Sequence, residues 1–374
     1  MTNRVSVEPF PPAGFIQKAM DAHGWTQDDL AQVMGRNRQT VMRLLNAQTS
    51  ITPETAHELA QAFETSPEVW MNLQMSYELA LAAKEDRDIE RRAKIYQKVP
   101  VRDVIKRHWI PDERATSELE ANVCKLLGVS SLDESPRFAM AARKSTSYDY
   151  DTPAQVAWFA RASQLAYAAP ATTYDPGVFG TAMAELRKLA AEPEDLRKVP
   201  KLLADFGIRL LLIERLPKSK VDGVAFWINE DESPVIALSL RYDRIDNVWH
   251  TLIHEMIHIK YHDQTKVDVD LSVSGSGTDA TDIENRANTE ASEFLVPYEK
   301  LQSFVARHGR ISSQVEIVRA AKVQRVHPGI FVGQMHGRGF IDFRYYRKLL
   351  VPIRSEIVGQ ALTDGWGNVP VIGD

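Results

Sequence analysis

The 374-residue chain is long enough for two or three domains, and its 44% hydrophobic and 25% charged residues are the balance of a globular protein. A net charge of −5 excludes a generally basic nucleic-acid coat, so any DNA-binding surface must be a local patch. The single cysteine, Cys124, excludes an internal disulfide framework and fits a reducing compartment.

Residues 1–12 carry no apolar run, so a signal peptide is not expected. No stretch of the chain approaches the roughly 20 apolar residues that span a bilayer. Together these features predict a cytoplasmic protein with no membrane partner. Short, well-punctuated helices then begin. Thr26 is an N-cap with Asp29 as capping-box partner, Gly35 closes that helix, and Asn37 caps a second one, Arg38-Gln39-Thr40-Val41-Met42-Arg43-Leu44-Leu45. Thr52-Pro53-Glu54 and Ser66-Pro67-Glu68 start two more, each with Pro at the first helical position. Two short helices joined by a tight turn containing Gly are the helix-turn-helix plan. The second helix has Val41, Leu44 and Leu45 as core anchors and a polar, basic front, as a recognition helix requires. The DNA-facing candidates are Gln27, Arg36, Arg38, Gln39, Thr40 and Arg43. The competing reading is a solvated helix in a bundle.

The runs Gly24-Trp25-Thr26-Gln27-Asp28-Asp29-Leu30-Ala31, Ile51-Thr52-Pro53-Glu54-Thr55-Ala56 and Phe63-Glu64-Thr65-Ser66-Pro67-Glu68-Val69-Trp70-Met71-Asn72-Leu73-Gln74 resemble HigA-type antitoxins of the Xre-like helix-turn-helix class. The resemblance covers about residues 11–81. It implies a transcriptional regulator that binds double-stranded operator DNA, usually as a homodimer. Glu64 stands where that class commonly has Gly, and Arg36-Asn37 where a small apolar and a hydroxyl residue are usual.

Residues 84–98 form a charged helical run, read as the solvated end of a long helix that starts near Pro67 and leads into a linker at Val99-Pro100. Helices are predicted over 103–109, 117–127 (with Cys124 as a packing residue) and 153–168, and a loop over 130–151. Nothing in this middle region carries recognisable chemistry, and support and spacing are its expected role.

Strand signals follow at 208–213, 223–228 and 235–240, the last two separated by the turn Asn229-Glu230-Asp231-Glu232-Ser233-Pro234. Next comes His254-Glu255-Met256-Ile257-His258 in an apolar segment that reads as a buried helix. Positions four apart stack one turn above each other, so both imidazoles can reach one metal ion, and Glu255 sits where it can take a proton from a water on that metal. A small sheet before such a helix is a zincin-like core, and an edge strand could hold an extended peptide.

A catalytic zinc takes three protein ligands, so one more is needed. The helix predicted over 282–297 offers Glu284, Glu290 and Glu293. Glu284 shares a stripe with Ala287, Ala291 and Leu295, small residues that permit close approach. At about 100° per residue, Glu293 points away and Glu290 lies well off that stripe. Glu284 is therefore the best candidate, with a capping role behind Thr281 as the competing reading. His262, one further turn along the metal helix, reads as a supporting or surface residue, and His250, His308 and His336 have no identifiable partner.

His254-Glu255-x-x-His258 with Glu284-x-x-Ala287-Asn288 and the ending Phe294-Leu295-Val296-Pro297 resembles the ImmA/IrrE metallopeptidases over roughly 202–333. The resemblance implies Zn2+ held by His254, His258 and Glu284, with Glu255 as general base, and substrates such as helix-turn-helix repressors or toxin-antitoxin components. Glu290 stands where Phe is usual. A further donor is needed for the tetrahedral oxyanion, and His327, fixed before Pro328-Gly329, is one candidate, with an ordinary surface or capping histidine as the competing reading.

The expected fold is α+β and mostly α: a five-helix Xre-type helix-turn-helix domain (1–83), a helical linker and support region (84–192) and a zincin-like metallopeptidase domain with a small sheet (193–374). The expected function is a DNA-binding regulator with a zinc endopeptidase for limited regulatory proteolysis. Two alternatives stand beside it. One is an antitoxin-like transcription factor whose second domain is a non-cleaving sensor or partner-binding module. The other is a stress sensor in which zinc or redox state gates DNA binding.

Overall fold

The computed structural model describes residues 10–85, 87–136, 152–229, 232–263, 268–269 and 278–370. It divides into two compact units, Met1–Arg91 and Arg92–Asp374. Most of the loop expected over 130–151 lies outside the described residues.

The first unit contains α1 (Ala13–His23), α2 (Gln27–Val33), α3 (Arg38–Leu45), α4 (Pro53–Ala62) and α5 (Pro67–Glu85). Local chemistry sets their ends. Thr26 and Asp29 form a reciprocal capping box on α2, and Asn37 and Thr52 cap α3 and α4 through their side chains. Ile16, Leu30, Val41, Leu59 and Trp70 are buried in one core. Glu64, just beyond α4, has φ +51°. This is the left-handed conformation that favours Gly, and the Thr65 amide donates across it to the Ala60 carbonyl at 3.0 Å.

The cut between the units falls inside α6 (Arg87–Lys98). There follow α7 (Val101–Lys106), α8 (Thr116–Leu127), α9 (Pro153–Ala166), α10 (Phe179–Lys188), α11 (Val199–Asp205), β1 (Arg209–Ile213), β2 (Val221–Ile228), β3 (Ser233–Leu238), α12 (Ile245–Lys260), β4 (Asp268–Val269), α13 (Thr278–Leu295), α14 (Tyr298–His308), α15 (Gln314–Val323), α16 (Pro328–Gly337), α17 (Arg354–Ile357) and β5 (Leu362–Asp364). The fold is mostly helical around one small mixed sheet of order β4-β2-β3-β1-β5. β1 runs parallel to β3 and β5, while β2 is antiparallel to β3, with Gly223 opposite Leu238, and to β4.

The period-2 alternation of the strands sends their apolar residues to two different cores. Leu210, Leu212, Ala225, Ile236 and Leu238 face α12 and the C-terminal helices. Leu211, Ile213, Val224, Phe226 and Ala237 face α7, α8 and α9. This corrects the expectation of a solvated helix end and a linker. Ile95 and Val99 are fully buried in that second core, and the chain passes directly from α6 into α7. Residues 92–192 are thus not set apart from the C-terminal segment: α10 packs into the front core, and α7, α8 and α9 cover the back of the sheet, because that face is apolar too. Cys124 is buried among them. A polar pin crosses the same layer. Asp364 on β5 accepts from Arg161 Nε on α9 at 2.5 Å and from the Trp109 indole at 3.0 Å. No helix among the described residues is long and apolar enough to cross a membrane.

Candidate metal centre and nucleic-acid interface

α12 is buried on nearly every side, with Val248, Leu252, Ile253, Met256 and Ile257 in the core. Within that apolar helix, Asp246, His250, His254 and His258 recur every four residues; the three histidines meet α13 at Asn288 and Glu284, while Asp246 lies against Gly333 of α16. α13 answers with Ala287 and Ala291, both fully buried, so the two helices lie close. This brings ligand atoms of His254, His258 and Glu284 within 4.8 Å of one another. The Nε2 atoms of the two histidines are 2.9 Å apart, and Glu284 Oε2 lies 3.2 Å from His254 Nε2 and 3.7 Å from His258 Nε2. Position 281 falls inside α13, so it is not the N-cap that the capping reading of Glu284 required.

Two nitrogens and a carboxylate around one point are the donor set that zinc takes, and the fourth position is left to water or substrate. Both Glu284 oxygens are buried with no aligned hydrogen-bond donor, which a cation between the three side chains would satisfy. Without a metal, burial alone would raise the Glu284 pKa, but His254 and His258 outweigh it and hold it at about 2. Burial likewise lowers His258, yet Asp263 and Glu284 raise it to about 9. Burial and the neighbouring His254 push His250 down to about 4.

Glu255 is fully buried beside the triad and lies against β2. A Cβ added at Gly223 would stand 2.8 Å from Glu255 Oε1 and 2.8 Å from the Thr251 methyl, so the strand passes under the carboxylate only because it has no side chain there.

His327 takes the capping role that stood as its competing reading. It is the N-cap of α16, its Nδ1 accepting from the Gly329 amide at 3.0 Å, while its own amide donates to the Ala190 carbonyl at 2.7 Å. The Pro-Gly that suggested a site loop is instead a helix start. His262 is exposed, has φ +50°, and stacks on Trp227 with ring centroids 4.0 Å apart. His250 lies 3.4 Å from Asn288 Oδ1, His308 3.0 Å from Glu316, and His336 3.0 Å from the Tyr345 carbonyl.

Sequence reasoning missed Asp263, Arg286 and Gly223. Asp263 follows α12 by three residues and accepts from His258 Nδ1 at 3.1 Å. Its only sequence signal was a carboxylate just past the last turn.

On α3, Gln39, Arg38 and Arg43 are exposed while Val41 and Leu44 are buried. Arg38 lies 3.4 Å from Asp28, which places the start of α2, with half-buried Gln27, beside the start of α3. Thr40 spends its amide and hydroxyl on Asn37 Oδ1, both at 2.8 Å. Arg36 makes an ion pair inside the unit. It binds Glu58 at 2.7 to 3.1 Å through Nε and Nη2 and lies 3.6 Å from Glu54, so its charge is already answered within the unit.

Residues 16–70 match the helix-turn-helix family, and residues 204–327 match the IrrE N-terminal-like domain of the M78 peptidases. The uncharacterized HTH-type transcriptional regulator YddM of Escherichia coli (strain K12) is 34% identical over 73 residues, 20% of this chain and 78% of that protein. An HTH-type transcriptional regulator of Haemophilus influenzae is 43% identical over 51 residues, 14% of this chain and 48% of that one. Among solved structures, a HigA-family addiction module antidote protein from Coxiella burnetii is 31% identical over 21% of this chain and 87% of its own, with a TM-score of 0.20.

Proposed function

From a chain that belongs to the helix-turn-helix transcriptional regulators by its N-terminal unit and carries an IrrE-like, peptidase-family domain in its second, we propose a cytoplasmic, operator-binding regulator that performs zinc-dependent limited proteolysis. The substrate class is a helix-turn-helix repressor or a toxin-antitoxin component, and the regulator acts as a homodimer. The observation that carries this reading is the buried triad His254, His258 and Glu284, with Glu255 directly beside it.

The three side chains would hold zinc, and a zinc ion there supplies Lewis acidity to a water and to the scissile carbonyl. Glu255 removes the proton from the attacking water and returns it to the leaving amine. Burial of Glu255 and His254 keeps competing solvent from that exchange. An edge strand of the sheet would hold an extended peptide by main-chain pairing. At the other end, the exposed donors of α3 enter the major groove.

The test compares wild type with Glu255→Gln for bound zinc and for degradation of candidate repressors in cells. Zinc in both proteins with cleavage only by the wild type is expected. Bound zinc with the same partner levels in both makes the domain a non-cleaving sensor or binding module instead.

A further inference from the structure

His258 is gripped from behind by side chains that cross from α12 to α13. Its Nε2 faces His254 and Glu284, and its Nδ1 faces Asp263 Oδ2 at 3.1 Å. The Asp263 side chain is only 10% exposed, and both of its oxygens accept from Arg286 Nη2 at 2.6 Å. The Arg286 guanidinium in turn lies over the Tyr261 ring, 4.0 Å from its centroid. Tyr261 donates its hydroxyl to Glu290 at 2.6 Å, and Lys260 donates to the same carboxylate at 2.7 Å. Glu290, a charge at a position where the resembled family has an aromatic residue, is therefore an outer clasp on the end of the metal helix.

We propose that Asp263 and Arg286 are positioning residues for the metal, setting its affinity through His258. The proposal rests on reading the triad as a zinc site. A metal-bound imidazole uses one nitrogen for the ion and donates the other N–H, and a carboxylate acceptor there fixes both ring orientation and tautomer. Asp263 is that acceptor for Nδ1, leaving Nε2 for the ion. Arg286 holds Asp263 in place, its Nη2 donating to both carboxylate oxygens. Arg286 stands two residues after Glu284 on α13, so one helix supplies a ligand and also the clamp on a ligand from the other helix. Any shift of α13 moves both together, which keeps the three donors in register.

A different role for the same contacts is a plain staple between α12 and α13. The outer clasp separates the two, because Glu290 ties the helices together without touching Asp263. Zinc affinity of the full chain is measured by competition with a chromophoric chelator for wild type, Arg286→Ala, Asp263→Ala, Arg286→Lys and Glu290→Ala, alongside the visible spectrum of the cobalt-loaded proteins. Arg286→Ala and Asp263→Ala are expected to weaken zinc by about ten- to a hundredfold. Arg286→Lys should recover part of the loss, and Glu290→Ala, one contact further out through Tyr261, should lose less than Arg286→Ala. Asp263→Asn keeps the shape and an acceptor oxygen, so it tests the idea with the least risk to folding, with a smaller loss expected. Wild-type affinity in both Arg286→Ala and Asp263→Ala overturns the proposal and leaves the zinc site standing. Equal loss in Glu290→Ala also overturns it, since the staple alone then explains the effect. A wild-type protein that takes up no zinc overturns the reading of the triad and this inference with it.

Discussion

Gly223 and Glu255 are in contact across the boundary between sheet and metal helix: a methyl group on the glycine would meet the carboxylate oxygen at 2.8 Å. The fully buried glutamate has no open side to move to. Gly223→Ala is expected to cost about 1–3 kcal/mol of stability by overpacking. It should also reduce cleavage by about a hundredfold while bound zinc stays constant, because the base is displaced and the ligands are not. Denaturant midpoints, metal analysis and cleavage rates check the three parts. Undiminished cleavage in a folded Gly223→Ala protein removes Glu255 from the role of base.

The zinc-free protein carries His258 near 9 and Glu284 near 2. Raised pKa on the histidine means its contribution is fully present below its ordinary 6.5 and is lost as pH rises through about 9. The depressed carboxyl contributes above its ordinary 4.5 and loses that contribution as pH falls through about 2. Zinc must displace the proton on His258, so uptake at neutral pH is expected to release about one proton per ion. Affinity should therefore climb between neutral pH and pH 9 and level off above. Titration in weakly buffered solution reads the proton directly, and pH-independent affinity would falsify the assignment of His258 as a ligand.

Arg43 and Gln39 are exposed on α3, whereas Arg36 is engaged by Glu58. Arg43→Ala is expected to weaken binding of the protein's own promoter DNA and to lower the salt slope by about one phosphate contact. Arg36→Ala should leave that slope nearly unchanged. Mobility shifts at several salt concentrations distinguish them, and a larger effect from Arg36 than from Arg43 would put the interface elsewhere.

Glu64 occupies the left-handed region at the end of α4, which costs a side-chain-bearing residue roughly 1–2 kcal/mol relative to an unstrained conformation. Glu64→Gly should stabilise the first unit by about 1 kcal/mol. The check is its transition in denaturant, and a lower midpoint contradicts the strain argument.

Asp364→Ala leaves Arg161 buried beneath the sheet with its ion-pair partner gone, and a loss of about 3–5 kcal/mol is expected. Because that pair joins β5 to α9, the helices behind the sheet and the metal helix in front of it should unfold together. Separate transitions for the two faces in calorimetry would show that they are not one cooperative body.

What the residues determine by themselves is local. Caps such as Thr26, Asn37 and Thr52 act over three residues, the strands show their continuous apolar runs, and the H-E-x-x-H spacing stacks two imidazoles through helical period alone. Even Glu284 is legible, since its phase relative to Ala287 and Ala291 depends only on the geometry of one helix. Tertiary structure decided what joins elements far apart in the chain. It placed Arg286 behind Asp263, Gly223 beneath Glu255 and Glu58 against Arg36, made His327 a cap, and turned α7, α8 and α9 into the back layer of the sheet. None of those contacts follows from periodicity, because each depends on which faces two elements bury against one another, and only the packed core sets that.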